Sequence, residues 1–262
     1  MIRALRTAAL GMSGQKLKLD SISNNLANVN TTGYKKNSVA FQDLMYESIQ
    51  SGDIDRRNNV EKPGEIQIGM GTKPVSSYKS FTQGDVKQTG NALDVAIQGD
   101  GFLQVERGDG STAYTRAGNL RMDASGNLVT SSGLQVYPNI NIPSNSESIS
   151  ISKDGVVSVK YKGETQPEEI GQIELASFMN PGGLKSIGGN LYESTEASGD
   201  PSFGIPGEEG YGQIYQGYLE KSNVKTVKEM TEMIVAQRSY EINSKAVKTA
   251  DEILAMTNNL KR

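Results

Sequence analysis

The chain has 262 residues, 35% of them hydrophobic and only 6% aromatic, with 29 glycines and a net charge of -3. It contains neither Cys nor His, which excludes disulfides, thiol nucleophiles and cysteine metal sites. It also lacks, therefore, the commonest general base near neutral pH and the commonest transition-metal ligand. Such a lean composition suits thin β-domains joined by polar loops better than one large core.

Residues ~3 to 29 read as one helix. Its apolar side chains fall at Leu5, Ala8, Met12, Leu19, Ile22, Leu26 and Val29, with Gln15 as a polar intruder. The alternating steps of three and four are heptad spacing. Asn28, Asn30 and Gly33 supply residues able to take the left-handed backbone that stops a helix. Phe41 to Ile49 is expected as a short helical or extended piece, residues 50–64 as a polar insertion, and Ile66 to Pro74 as β.

From Gly84 to Phe178 short strands alternate with turn pairs such as Asp100-Gly101, Asp109-Gly110 and Asp154-Gly155. This spacing predicts a small antiparallel sandwich or barrel. Candidate strands include Leu93–Ile97, Phe102–Val105, Leu120–Met122, Leu128–Thr130 and Val156–Tyr161. Residues 180–216 read as loop-rich. A second helix is expected from near Ser222, a candidate N-cap. Its stripe runs through Val227, Met230, Ile234, Tyr240, Val247 and Leu254, with Gln237, Ser244 and Asp251 as breaks and a phase slip between Gln237 and Tyr240.

Two such narrow stripes at opposite ends of the chain cannot stabilise themselves. The economical reading is that the termini pack on each other and on copies from other subunits. The expected fold class is α+β: terminal helices forming a coiled-coil domain (1–34 plus 222–262), a linker with an extended hairpin-like insertion (35–83), and an inserted all-β body of short antiparallel strands (84–221).

Charge follows the same division. Residues 1–36 hold six basic groups against Asp20, and residues 220–262 hold eight basic against six acidic, so the middle carries a net -10. Basic ends read first as solvated helix faces, with neither nucleic-acid binding nor membrane insertion expected. No apolar run approaches the ~18 residues of a membrane span, and Ala8 to Met12 is too short for a signal-peptide core. Any export is expected to use another route.

Several separated motifs resemble one family. Ser23-Asn24-Asn25-Leu26-Ala27-Asn28 followed by Thr32-Gly33-Tyr34-Lys35 is similar to the N-terminal signature of the bacterial flagellar rod and hook proteins. Asp94 to Phe102 and Tyr114 to Leu120 extend the likeness. Tyr215 to Glu220, Ser222-Asn223-Val224 and Gln237 to Lys245 match the C-terminal signature. Overall length, Asn180 to Leu184, Asn190-Leu191-Tyr192 and the polar stretch between Tyr46 and Pro74 resemble the distal-rod branch. Tyr34 departs from the pattern, standing where Phe is common.

The resemblance implies a structural subunit of the distal rod, exported through the flagellar type III apparatus and polymerised helically with copies of itself. The helices would form the inner tube and the β-body the outer wall. Proximal rod and hook subunits would be neighbours, and a ring bushing could surround the shaft. No cofactor or enzymatic activity is implied. Proximal rod or hook membership is the nearest alternative; a carboxylate glycosidase or a surface binding module stands further off, with no marked carboxylate pair to support the former.

The expected assembly interface comprises Leu5, Met12, Leu19, Ile22, Asn24, Asn25, Leu26 and Asn28 at one end. At the other it comprises Val227, Met230, Ile234, Gln237, Tyr240, Asn243, Val247 and Leu254. Amides of Asn24, Asn25 and Asn28 are expected to bond across to neighbouring helices, and polar groups around Gln237 to fix register. Arg107-Gly108-Asp109 and the calcium-loop-like Asp123 to Asn127 both read as turns.

Overall fold

A computed structural model describes residues 2–49, 66–163 and 166–259; the expected insertion over 50–64 lies outside them. The fold is α+β. Helix α1 spans Ile2–Ala27 and helix α2 spans Thr226–Asn259, with antiparallel strands between them. Residues 1–24, 37–78 and 227–262 form one compact unit, and residues 25–36 and 79–226 form another.

In the first unit two short β-ribbons accompany the helices. Asn37–Asp43 pairs with Thr72–Lys79, and Tyr46–Ile49 pairs with Ile66–Gly69. The open question over Phe41 to Ile49 is thus resolved as extended chain. Gly11 and Gly14 sit in the interior of α1, where glycine costs about 1 kcal/mol relative to alanine. Close approach explains them: a Cβ on Gly11 would stand 2.9 Å from the Asn243 amide nitrogen, and one on Gly14 would stand 3.2 Å from the Phe41 ring. Ser21 Oγ donates to the Asn37 carbonyl (3.1 Å), and Arg3 pairs with Glu47 at 2.7 Å.

The second unit is built on a sheet of nine strands among the described residues. In spatial order seven of them are Lys185–Gly188, Leu191–Glu193, Thr112–Thr115, Phe102–Glu106, Gln135–Tyr137, Leu128–Thr130 and Leu120–Met122. One edge of Phe102–Glu106 is shared. Gln104 to Glu106 face Gln135–Tyr137, while Phe102 and Leu103 pair with Leu175–Ser177, which in turn carries Ser202–Gly204. A three-stranded sheet (Ser146–Ile151, Val156–Tyr161, Glu168–Gln172) and two ribbons complete the unit: Val95–Gln98 with Gln213–Gln216, and Val86–Gln88 with Tyr218–Glu220.

Alternation of inward side chains explains the core. Leu103, Val105, Leu120, Leu128, Val157, Leu175 and Ile214 are buried in one cluster. A second cluster is aromatic, with Phe81, Phe102, Tyr114, Phe178 and Tyr192 in edge-to-face contact; the Tyr114 and Phe178 centroids lie 4.8 Å apart. Edge-to-face rings contribute about 0.5–1.5 kcal/mol per pair beyond their burial.

One sequence expectation is refined and one is corrected. Residues 180–216 are not simply loop: they carry strands at Lys185–Gly188, Leu191–Glu193, Ser202–Gly204 and Gln213–Gln216. Their short length and dense glycine hid the alternation. Ser222 is not the N-cap of α2, which begins at Thr226; it is buried, and its Oγ accepts the Val224 N–H at 3.3 Å.

Candidate functional site

In the second unit the chain segments flanking the two helices converge on one buried carboxylate. Glu220 Oε1 accepts Lys35 Nζ at 2.7 Å and the Gly84 N–H at 2.8 Å, and its Oε2 accepts Arg116 Nη1 at 3.3 Å. The side chains of Lys35, Arg116 and Glu220 are each at most 2% exposed. Lys35 Nζ also donates to the Thr82 carbonyl (2.9 Å), and Arg116 Nη2 to that of Gly99 (2.7 Å). The Arg116 guanidinium lies 5.4 Å from the Phe102 ring centroid.

Backbone and amide bonds tighten the junction. The Gly33 N–H donates to the Glu220 carbonyl (2.9 Å), and the Lys36 N–H to Asn223 Oδ1 (2.7 Å). Asn223 Nδ2 donates to the Ser80 and Thr82 carbonyls. Three stretches distant in sequence, 33–36, 80–84 and 220–223, are thereby sewn together.

Burial pushes the Lys35 ammonium below the ordinary lysine value, against the pull of the Glu220 carboxylate. Lys79 is also lowered by burial; its Nζ stands 4.7 Å from the Tyr34 ring centroid and 5.5 Å from that of Tyr192. Burial likewise raises the Tyr192 hydroxyl far above the usual phenol value, with Tyr34 and Glu220 adding to the effect. Two buried polar atoms in this cluster, Arg116 Nε and Tyr192 Oη, have no hydrogen-bond partner.

The Tyr192 hydroxyl can be tested directly. A tyrosine that holds its proton longer when folded contributes stability below pH 10.0, its unfolded value, and loses it as pH climbs further. Tyr192→Phe removes an unsatisfied buried hydroxyl, so we expect no loss at pH 7, or a gain of up to about 1 kcal/mol. Between pH 10 and 11 the variant should decline less steeply than the parent. Lys35 and Lys79 shift in the opposite sense, gaining stability as pH rises toward 10.5, but they are common to both proteins and cancel. Urea midpoints at pH 7 and 11 provide the measurement; an identical alkaline decline in both proteins would refute the assignment.

The residues expected at the assembly interface are scattered over different environments. On α1, Leu5, Met12 and Leu19 are half-buried, Ile22 is buried and Asn24 exposed. Asn25 is buried, and its Oδ1 accepts Tyr34 Oη at 3.1 Å; the half-buried Asn28 accepts Thr31 Oγ1 at 3.2 Å. These contacts fall within the turn following α1. Leu26 is half-buried.

On α2 the expected stripe proves to be two faces. Glu229, Ala236 and Ala250 are buried at intervals of seven and fourteen residues, and Asn243, Val247 and Leu254 are half-buried on the same side. Val227, Met230 and Ile234 lie about half a turn away and are exposed, Val227 by 79%. Gln237 and Tyr240 are exposed too. The phase slip at Gln237 to Tyr240 marks where the pattern passes from the outer face to the inner. Val235, Ile242, Ile253 and Met256 continue the exposed apolar face.

Asp123 accepts the N–H groups of Ser125 and Asn127, both at 2.8 Å, which makes a closed turn. Among the described residues no cluster of acidic side chains is arranged to hold a metal. No described helix is long and apolar enough to cross a membrane.

A buried node thus joins both ends of the β unit, and α2 is left apolar on an outer face. Three family descriptions match: flagella basal body rod protein over residues 5–35, the D1 domain of flagellar hook protein FlgE/F/G over 96–159, and the C-terminal region of flagellar basal body rod FlgEFG protein over 215–260. Each matched segment contributes one charge to the node: Lys35, Arg116 and Glu220 respectively.

The flagellar basal-body rod protein FlgG of Borreliella burgdorferi is 48% identical, with both chains covered in full. FlgG of Caulobacter vibrioides is 46% identical over 99% of this chain, and that of Bacillus subtilis 43% identical over all of it, each relative covered completely. The chain belongs to the flagellar basal-body rod protein family.

Proposed function

We propose that this chain is a structural subunit of the distal rod of the bacterial flagellum, built into the basal body as a helical homopolymer that transmits torque from motor to hook. The observation that carries this reading is the outer face of α2. Val227, Met230 and Ile234 are 79%, 51% and 58% exposed in a single chain. Each such side chain contributes roughly 1.5–3 kcal/mol only when fully buried. Heterologous contact between identical subunits extends without closing, which yields a shaft instead of a ring.

The terminal helices, residues 1–34 and 222–262, form the inner tube in coiled-coil contact, and the β-rich residues 84–221 form the outer wall. Residues 35–83 bridge neighbours. Proximal rod and hook subunits cap the two ends of the shaft, and a ring bushing surrounds it. Delivery runs through the flagellar type III export apparatus, for which the absence of Cys and the small β-elements are suited. The role is mechanical and needs no cofactor.

Electron microscopy of the concentrated, purified protein tests this. Straight hollow tubes are expected from the parent and none from Ile234→Asp, whose monomer should keep the parent's circular dichroism. A parent that stays monomeric at every concentration would overturn the reading.

A further inference from the structure

The ribbon of Val95–Gln98 with Gln213–Gln216 ends at a cleft of about 300 Å³ in the β unit. Gln98 and Gln213 stand directly opposite each other in the ladder, so both amides lie on one face of the ribbon. Asp100 and Tyr211 complete the polar wall. Among the described residues, none hydrogen-bonds the Gln98 amide, the Asp100 carboxylate or the Tyr211 hydroxyl. Gln213 Oε1 accepts Tyr215 Oη at 3.3 Å, which leaves its NH2 group to donate.

The floor of the cleft is backbone. A Cβ on Gly212 would stand 2.6 Å from the Gln98 carbonyl oxygen, and one on Gly99 would stand 2.9 Å from Gly212 Cα. Glycine is therefore required where the two segments meet. The Gly212 N–H donates to the Asp100 carbonyl at 2.7 Å, and Arg116 Nη2 ties the Gly99 carbonyl to the buried node. Tyr211 is held too: a Cβ on Gly204 would run into its ring, so the ring rests on bare backbone. Groups fixed in advance lower the ordering cost of binding.

Charge and chemistry narrow the ligand. Asp100 repels an anion, as do the exposed Glu208 and Glu209 between the lining residues Gly207 and Gly210. Beneath the floor, the node holds two cations, Lys35 and Arg116, against one carboxylate, which disfavours a cation. Amides both donate and accept, and a tyrosine ring offers an apolar face beside a polar tip. A sugar ring, with hydroxyls at its edge and C–H groups on its face, uses all of them. The volume lies at the lower end of the ~300–1,000 Å³ of small-molecule sites, room for a mono- or disaccharide.

We propose that this cleft binds a neutral saccharide, with Asp100, Gln98 and Gln213 bonding its hydroxyls and Tyr211 against its ring. The cleft lies wholly within the β unit, so its occupancy is separable from the assembly reading above.

The chain contains no Trp, so Tyr211→Trp places a sole fluorescent reporter in the cleft. The full-length variant is titrated with cellobiose and with diacetylchitobiose. A saturable shift of Trp emission is expected, with a Kd on the order of millimolar. Adding Asp100→Ala should weaken binding about tenfold or more, the loss of a hydrogen bond to a charged group. Gln98→Ala should weaken it as well, and both should keep the parent's circular dichroism. Asp109→Ala, at the turn beyond Phe102–Glu106, should change nothing. Calorimetry of the unsubstituted chain with the same two sugars is the second measurement. No heat from either sugar, or equal weakening by Asp100→Ala and Asp109→Ala, would overturn the site. Tighter binding of arginine amide or inorganic phosphate than of the sugars would overturn its ligand class.

Discussion

Glu220→Ala is expected to cost about 3–5 kcal/mol, the usual loss when one partner of a buried ion pair is deleted. Native domains have only about 5–15 kcal/mol of net stability, so this one change removes a large part of it. The cause is specific. Lys35 and Arg116 would remain dry and positive with no carboxylate between them, and the Gly84 N–H would lose its acceptor. Glu220→Gln keeps the shape and an oxygen for Gly84 but drops the charge, so it should recover only a small part. Adding Lys35→Met to Glu220→Gln removes one stranded cation and should recover more than Glu220→Gln alone. Urea denaturation followed by circular dichroism measures all three. A Glu220→Ala protein within about 1 kcal/mol of the parent would show that the node is not what holds the β unit shut.

Gly33→Ala is expected to be nearly as severe, at about 2–4 kcal/mol, from left-handed strain and steric overlap together. Gly33 has φ +68°, and a Cβ there would stand 2.7 Å from Ala117 N and from the Arg116 carbonyl carbon. Its N–H is also tied to the Glu220 carbonyl. Asparagine separates the two causes, because it tolerates positive φ but still carries a Cβ. Gly33→Asn should therefore remain strongly destabilising. If Asn restores most of the stability in the same denaturation series, the close approach to Arg116 and Ala117 is not the constraint.

The sequence made some of this visible and concealed the rest for physical reasons. Both helices were legible from heptad spacing, and α1 ends within two residues of the expected position because Asn28 and Gly33 disfavour its continuation. Strands such as Leu120–Met122, Leu128–Thr130 and Val156–Tyr161 stood out because turn pairs bracket them. Strands between Lys185 and Gly204 are three or four residues long, too short for alternation to register.

The node was illegible for a different reason. Lys35, Arg116 and Glu220 each sit in a motif that was recognised, yet Lys35 and Glu220 are 185 residues apart, and no local pattern reports a pairing at that range. The available hint was a charged residue within each motif: Lys35 after Tyr34, Arg116 after Thr115, Glu220 after Leu219. On α2, helical spacing alone could not separate an inner face of small residues from an outer apolar one, because the expected stripe borrowed from both. Burial of Ala236 and Ala250 resolves it.

The tie between Lys36 and Ser80, whose N–H donates to the Lys36 carbonyl at 2.9 Å, has an architectural consequence. The segment from 37 to 79 therefore leaves and rejoins the β unit at one closed point. Doubling such a closed loop costs only about 0.6 kcal/mol in closure entropy. Descendants of this chain can therefore lengthen or shorten that arm while the closure at Lys36 and Ser80 stays in place.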